Sequence, residues 1–338
     1  MREGHRLAAS MYLKKSLIFA IGALLCLLAA KPAVAALSDV PAGRLETVEI
    51  MQGELLRRFD IYIPASASAT KPRSLVFVLH GGWMDKDAEK RVKSGKPAGK
   101  TMSKLTGGTW EKLAERENIV IVYPVAVNAR WNDGAEETKA ITHDTDDVGF
   151  ISLLIDALAP AFGIDRARVY STGFSNGAKM SFRLGCELSD KIAAIAPVDG
   201  GIAPEYEAKC HPRHPVPAAI FHGTKYPGVM TDTYKKQGQD PIALFHDSVA
   251  LWTKLNRCPS APVETNLPND KRDGTTVTKL AYEGCKRGDV LVYRINDGGH
   301  VWPGGSQYLP RFLIGNGSRE IDAAVESWNF LKNHRREK

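Results

Sequence analysis

Residues 168–180 read RVYSTGFSNGAKM, and the fold turns on them. An apolar, strand-like run passes into Gly173-Phe174-Ser175-Asn176-Gly177, and a helical pattern follows at once. G-x-S-x-G gains chemical meaning in this setting of strand, sharp turn and helix. Glycines two before and two after the serine are required because any side chain there would collide with the neighbouring strand and helix. The turn lifts the Ser175 hydroxyl out of the sheet at a helix N-terminus. There the backbone N–H of Asn176 points into the space where a developing oxyanion would sit.

Upstream, SLVFVLHGGWM (74–84) ends an apolar run in His80-Gly81-Gly82. Glycine lets the backbone approach a substrate carbonyl, so Gly82 N–H is the candidate second oxyanion donor beside Asn176. His80 precedes the serine and is expected to be structural, since in this chain order the base comes last. Downstream, VYRINDGGHVWPGG (292–305) sets His300 after the last strand-like run, between glycines that permit a close turn. His300 is the candidate general base.

Between these motifs, apolar runs alternate with helical patterns. The runs at 74–80, 119–124, 168–173, 192–197, 217–223 and 290–295 are continuous, as in strands covered on both faces. Helices are expected at 147–162, 176–188, 242–256 and about 319–334. The stretches 47–50 and 57–64 alternate apolar and polar residues, which suits an antiparallel edge pair. The expectation is a mostly parallel, doubly wound α/β sheet with helices on both faces, in one domain over 36–338.

The N-terminus reads differently. Lys14 and Lys15 precede SLIFAIGALLCLLAA and a small-residue AVA ending at Ala35, the order of a secretory signal peptide over 1–35. Met11 opens a more conventional signal than Met1 does. Export to the periplasm or medium, with no membrane span left after cleavage, is expected. Removing five Lys or Arg and one Glu with residues 1–35 lowers the net charge from +7 to +3, so nucleic acid is not an expected partner. Much of the remaining excess lies in residues 86–104, read as an exposed basic loop. Four cysteines stay in the mature chain (Cys186, Cys210, Cys258 and Cys285), and in an exported protein they imply two disulfides with three possible pairings. No ligand spacing for a metal is present. HDTDD (143–147) lacks the alternation of a calcium loop and reads as a helix N-terminus.

LHGGW, TGFSNGAKMSFRLGCELSDKIAAIAPV and GGHVWPGG resemble the secreted esterase family of polyhydroxybutyrate depolymerases, feruloyl esterases and acetyl xylan esterases. The resemblance runs from about residue 55 to the C-terminus. It implies an α/β-hydrolase fold, a Ser–His–acid triad with Ser175 and His300, an oxyanion glycine near Gly82, and cofactor-free hydrolysis of carboxylic esters, polymeric ones included. It also implies the pairs Cys258–Cys285 and Cys186–Cys210. One stretch departs from the family. In AIFHGTKYPGVM (219–230), Tyr226 stands where the family carries an aspartate. A phenol is neutral at working pH and cannot replace a carboxylate. Asp199, just past the 192–197 run, is the preferred substitute acid, and Asp232 the alternative; Asp297 is too close to His300 along the chain to orient it well. Trp83, Trp131 and Trp302 are candidate stacking surfaces for a sugar or phenolic ring. Two rival readings remain, a binding protein on a hydrolase scaffold and a secreted peptidase of the same fold.

Overall fold

The six continuous apolar runs become neighbours in one sheet, as their burial requirement demands. The computed structural model describes residues 37, 39–66, 71–82, 100–136, 138, 142–228, 231–232, 235 and 240–336. The expected signal peptide, Trp83 and the 86–99 part of the basic stretch lie outside the described residues. Strands β1 (Leu45–Gln52), β2 (Leu55–Tyr62) and β3 (Arg73–Leu79) lead to helices α1 (Lys100–Leu105) and α2 (Thr109–Glu117). Strand β4 (Ile119–Val125), helix α3 (Asp147–Phe162), strand β5 (Ile164–Phe174) and helix α4 (Asn176–Glu187) follow. Next come β6 (Ala194–Val198), the short α5 (Pro204–Glu207), β7 (Ala218–Gly223) and α6 (Pro241–Leu255). The chain closes with β8 (Val263–Asn266), β9 (Thr276–Tyr282), β10 (Val290–Asn296), α7 (Arg311–Ile314) and α8 (Ala323–Leu331).

The sheet order is β1-β2-β4-β3-β5-β6-β7-β10-β9-β8. Its centre, β4 to β10, is parallel, and antiparallel strands close both edges. The N-terminal antiparallel pair agrees with the alternating pattern. The second edge, β8 and β9, was not legible: every residue of β8 is exposed, so it carries no burial pattern for periodicity to detect. Helix α8 starts at Ala323, later than the pattern implied, because Asp322 caps it by accepting from the Ala324 and Val325 amides.

Helices cover both faces. Helix α4 packs on β3, β5 and β6. Phe182 of α4 meets Trp252 of α6 edge-on, ring centres 5.1 Å apart. Helix α8 packs on β6, β7 and α2, with Trp328 edge-on to Tyr170 of β5. The HDTDD cluster is a helix start: Asp146 accepts from Gly149 N at 2.7 Å. Its neighbour Asp147 is buried and pairs with buried Arg57 of β2 at 2.6 Å. The Arg57 guanidinium also lies 3.8 Å from the Phe150 ring centre. Burial pushes the Asp147 carboxyl up and the Arg57 guanidinium down, and each partner's charge opposes the other's shift.

Candidate active site

Parallel strands aligned in register bring their C-terminal ends to one edge, and the candidate residues gather there. Phe174 pairs with Val198, and Ile295 with Gly223, so the chain just beyond β5, β6, β7 and β10 shares one space. Ser175 leaves β5 at φ 56°, ψ −116°, a backbone conformation costly for a non-glycine residue and found where the surrounding structure enforces it. A β-carbon on Gly177 would strike the Leu79 and His80 carbonyls, which is why the turn needs glycine there. Ser175 N donates to Val198 O at 2.9 Å, tying the elbow to the residue before Asp199.

The Asn176 side chain is fully engaged in holding this turn. Its Oδ1 accepts from Trp131 N at 2.7 Å, and its Nδ2 donates to Asp133 Oδ2 at 2.8 Å and Trp131 O at 3.2 Å. What Asn176 can offer a substrate is therefore its main chain. Gly82 lies beside it: a β-carbon on Gly82 would sit 3.7 Å from Asn176 Cβ. His80 holds the Gly81–Gly82 loop. Its Nε2 accepts from Ala126 N at 3.0 Å, so Nδ1 carries the proton and donates to Gly81 O at 2.8 Å.

His300 is buried, and His300 N donates to Ile314 O at 2.6 Å. Its loop presses on β7 so closely that a β-carbon on Gly223 would lie 2.6 Å from both the Gly298 and Gly299 carbonyl oxygens. The imidazole packs on Phe174, ring centres 4.7 Å apart, immediately before the serine. Burial pushes its pKa down to about 3, helped by the charge of nearby Lys179 on α4. The candidate base is thus neutral at ordinary pH. Its Nδ1 is buried without a hydrogen-bond partner among the described residues.

Asp199 follows β6 with φ 53° and is buried. Its Oδ1 accepts from Gly223 N at 2.8 Å and from the Tyr226 hydroxyl at 3.0 Å. Burial pushes the carboxyl up to about 7; hydrogen bonds from the Gly223 amide, the Tyr226 hydroxyl and the Val301 amide pull the other way. The Val301 contact brings the carboxylate to the residue after His300, although among the described residues no bond to His300 Nδ1 is made. The other aspartates stand elsewhere. Asp232 is exposed, and Asp297 pairs with Lys225 Nζ at 3.0 Å.

Two side chains beside Asp199 join the site: His222, which the sequence motifs do not single out, and Tyr226, which stands at the expected acid position. His222 of β7 stacks on Phe245, with its Nδ1 3.6 Å from Asp199 Oδ1. Burial pushes His222 down to about 3, and a proton on His300 or His246 would push it further, so it stands there neutral. The Tyr226 hydroxyl lies 3.3 and 3.2 Å from the two ring nitrogens of His222. A histidine inside the apolar run AAIFHG was the available signal, because a buried polar group in a central strand needs a partner. The tryptophan expectation requires correction. Trp131 and Trp302 are both fully buried, so neither offers a stacking face. Trp131 instead donates from Nε1 to His80 O at 2.9 Å, and Trp302 joins the core beside Phe174. The sulfurs join Cys186 to Cys210 and Cys258 to Cys285, the pairs the family resemblance implied. Among the described residues, no helix is long and apolar enough to cross a membrane, and no cluster of three or more metal-ligating side chains occurs.

The mostly parallel sheet, the two helical layers and the serine at a strand-to-helix elbow define an α/β-hydrolase fold. Solved structures agree at the level of fold. A thermostable esterase superposes with a TM-score of 0.56 at 13% identity, covering 87% of this chain and 63% of the other. Acetyl xylan esterase from Aspergillus awamori superposes at 0.54 and 14% identity, covering 77% and 94%. No family profile matches the chain. By sequence it is 26% identical over 282 residues to the putative esterase NocK of Nocardia uniformis, covering 79% of this chain and 76% of that protein. It is 25% identical to feruloyl esterase D of Neurospora crassa, over 82% of this chain and 87% of that one. Identity reaches 35% with feruloyl esterase B of Piromyces equi, over 51% of this chain and 31% of that protein. The chain thus spans about a third of the Piromyces enzyme's length. The feruloyl esterases among these relatives belong to the group that the sequence resemblance named, and the relatives together support carboxylic ester hydrolysis as the class of activity.

Proposed function

We propose that the chain is an exported serine hydrolase of carboxylic esters that works through an acyl-enzyme. Ser175 Oγ attacks the ester carbonyl while His300 takes its proton and later returns it to the leaving alcohol. The Asn176 and Gly82 N–H groups stabilise the oxyanion, and water then releases the acid by the same steps. Asp199 supplies the carboxylate that steadies the imidazolium once it forms. Candidate substrates are feruloyl or acetyl esters on polysaccharide, hydroxyalkanoate esters and small esters. The observation that carries this reading is the strained Ser175 elbow, bonded to the β6 end that bears Asp199 and packed through Phe174 on His300. The two disulfides accord with export to an oxidising compartment.

The test is turnover of p-nitrophenyl acetate and methyl ferulate by the wild-type chain and by Ser175→Ala. Loss of both activities and of the acylation burst in the variant is expected. Equal activity in the two proteins would sink the proposal. One observation favours a second reading, a ligand-binding protein on this scaffold: His300 Nδ1 has no acceptor among the described residues. A wild-type protein with no Ser175-dependent burst on any of these esters is the outcome that reading requires.

A further inference from the structure

The tyrosine that replaces the family's aspartate has not simply removed a function. We propose that Tyr226 is a positioning residue that acts through Asp199, its hydroxyl donating to Oδ1 and so holding the buried carboxylate charged and oriented toward the His300 loop. This inference rests on the function proposed above.

The geometry is specific. Asp199 Oδ1 receives two donors, Gly223 N at 2.8 Å and Tyr226 Oη at 3.0 Å, which together fix the plane of the carboxylate. The first donor is main chain and is invariant to mutation; the second is the only side-chain donor to Asp199 among the described hydrogen bonds. Among the described residues, no Lys or Arg pairs with this carboxylate. The groups that face it are neutral: His222 from β7, the Tyr226 phenol from the loop after β7, and the Val301 amide from the loop after β10, with the His300 ring centre 5.9 Å from that of Tyr226. Tyr308 lies close enough for Asp199's charge to push its phenol further up, beyond what burial does. The nearer charges act one step removed, Lys179 of α4 on His300 and His246 of α6 on His222.

A buried carboxylate without a cation depends on hydrogen bonds to stay ionised, because each bond to the charged form favours it over the protonated one. A bond to a charged group is worth enough to move a titration by about one to two pH units. Tyr226 therefore lets a carboxylate displaced to the end of β6 work as a triad acid nearer neutral pH. A purely space-filling role for the ring predicts none of this, since phenylalanine fills the same volume.

Tyr226→Phe removes one oxygen from a half-buried ring. The expected result is that the acidic limb of kcat/KM on p-nitrophenyl acetate moves up by about one to two pH units, with activity at pH 9 close to wild type. An unmoved limb, or an equal loss at every pH, overturns the inference. Replacement of Tyr226 by 3-fluorotyrosine keeps the ring and strengthens the donor, so the limb should move down; it serves also if the phenylalanine variant folds poorly. In the Asp199→Asn background, Tyr226→Phe should leave the residual pH profile unchanged. Ser175→Ala separates the two levels of the argument. If that variant is inactive while Tyr226→Phe leaves the limb in place, the serine mechanism stands and only the role of Tyr226 falls.

Discussion

Asp147 and Asp199 are both buried aspartates, and the protein accommodates them in opposite ways. Asp147 starts helix α3 against the Arg57 guanidinium at 2.6 Å and accepts Asn132 N at 2.8 Å. A full opposite charge compensates it, so its task is to tie β2, α3 and the 131–133 loop together. Asp199 has only neutral donors and is pushed up to about 7. Burial raises both carboxyls, but at Asp147 the Arg57 charge opposes the shift, whereas at Asp199 only hydrogen bonds from neutral donors do. The contrast suits one aspartate to stability and leaves the other as the proposed triad acid.

The largest expected effect breaks that contrast at Asp199. Asp199→Asn should lower kcat on p-nitrophenyl acetate by on the order of 10⁴-fold, the usual consequence of losing a triad acid's charge, with a far-ultraviolet spectrum like wild type. A kcat matching wild type removes Asp199 from the mechanism. Asp147→Asn should do the reverse. It strands a buried guanidinium, so urea unfolding should show a loss of about 3–5 kcal/mol, while kcat of the folded fraction stays near wild type. If instead its kcat collapses at unchanged stability, the division of labour proposed here is wrong.

The pH dependence sharpens the comparison further. The proposed mechanism needs Asp199 charged and His300 neutral; with His300 pushed down to about 3, it assigns the acidic limb of kcat/KM to Asp199, and that limb should fall near pH 7. Asp199 holds its proton more tightly folded than unfolded. Its contribution to stability is therefore fully present below the ordinary carboxylate range and is lost as pH rises through about 7. Urea midpoints should move in favour of Asp199→Asn over wild type between pH 4 and pH 8. His222 and His300 have the opposite sign. Their folded values are depressed to about 3, so the stability they contribute is present above about 6.5 and is lost as pH falls toward 3. The smallest expected effect is that of the double replacement Arg57→Met with Asp147→Leu. Exchanging a buried ion pair for apolar side chains of similar size is often neutral or stabilising, so its urea midpoint should lie far closer to wild type than that of Asp147→Asn.

Much of the site was legible because its parts are local. The elbow needs glycine at positions 173 and 177 around Ser175, and a close turn needs glycine around His300; such requirements are written directly in the chain. The continuous apolar runs announced the buried parallel strands for the same reason. The exposed edge strand β8 left no such mark, since none of its side chains is removed from water. The tryptophans misled because sequence proximity to a motif does not say which way a side chain points. Trp131 and Trp302 turn inward, where an indole buries far more apolar surface than it could beside a cleft.

By itself, then, the sequence determined the α/β architecture, the candidate nucleophile and base, and the fact that an acid was missing from the loop after β7. Only the tertiary structure decided what stands in that place. Asp199 and Tyr226 are separated by twenty-six residues, and their bond exists because β6 and β7 lie side by side and end together. A hydrogen bond between the ends of two strands depends on pairing and register, which no local pattern encodes.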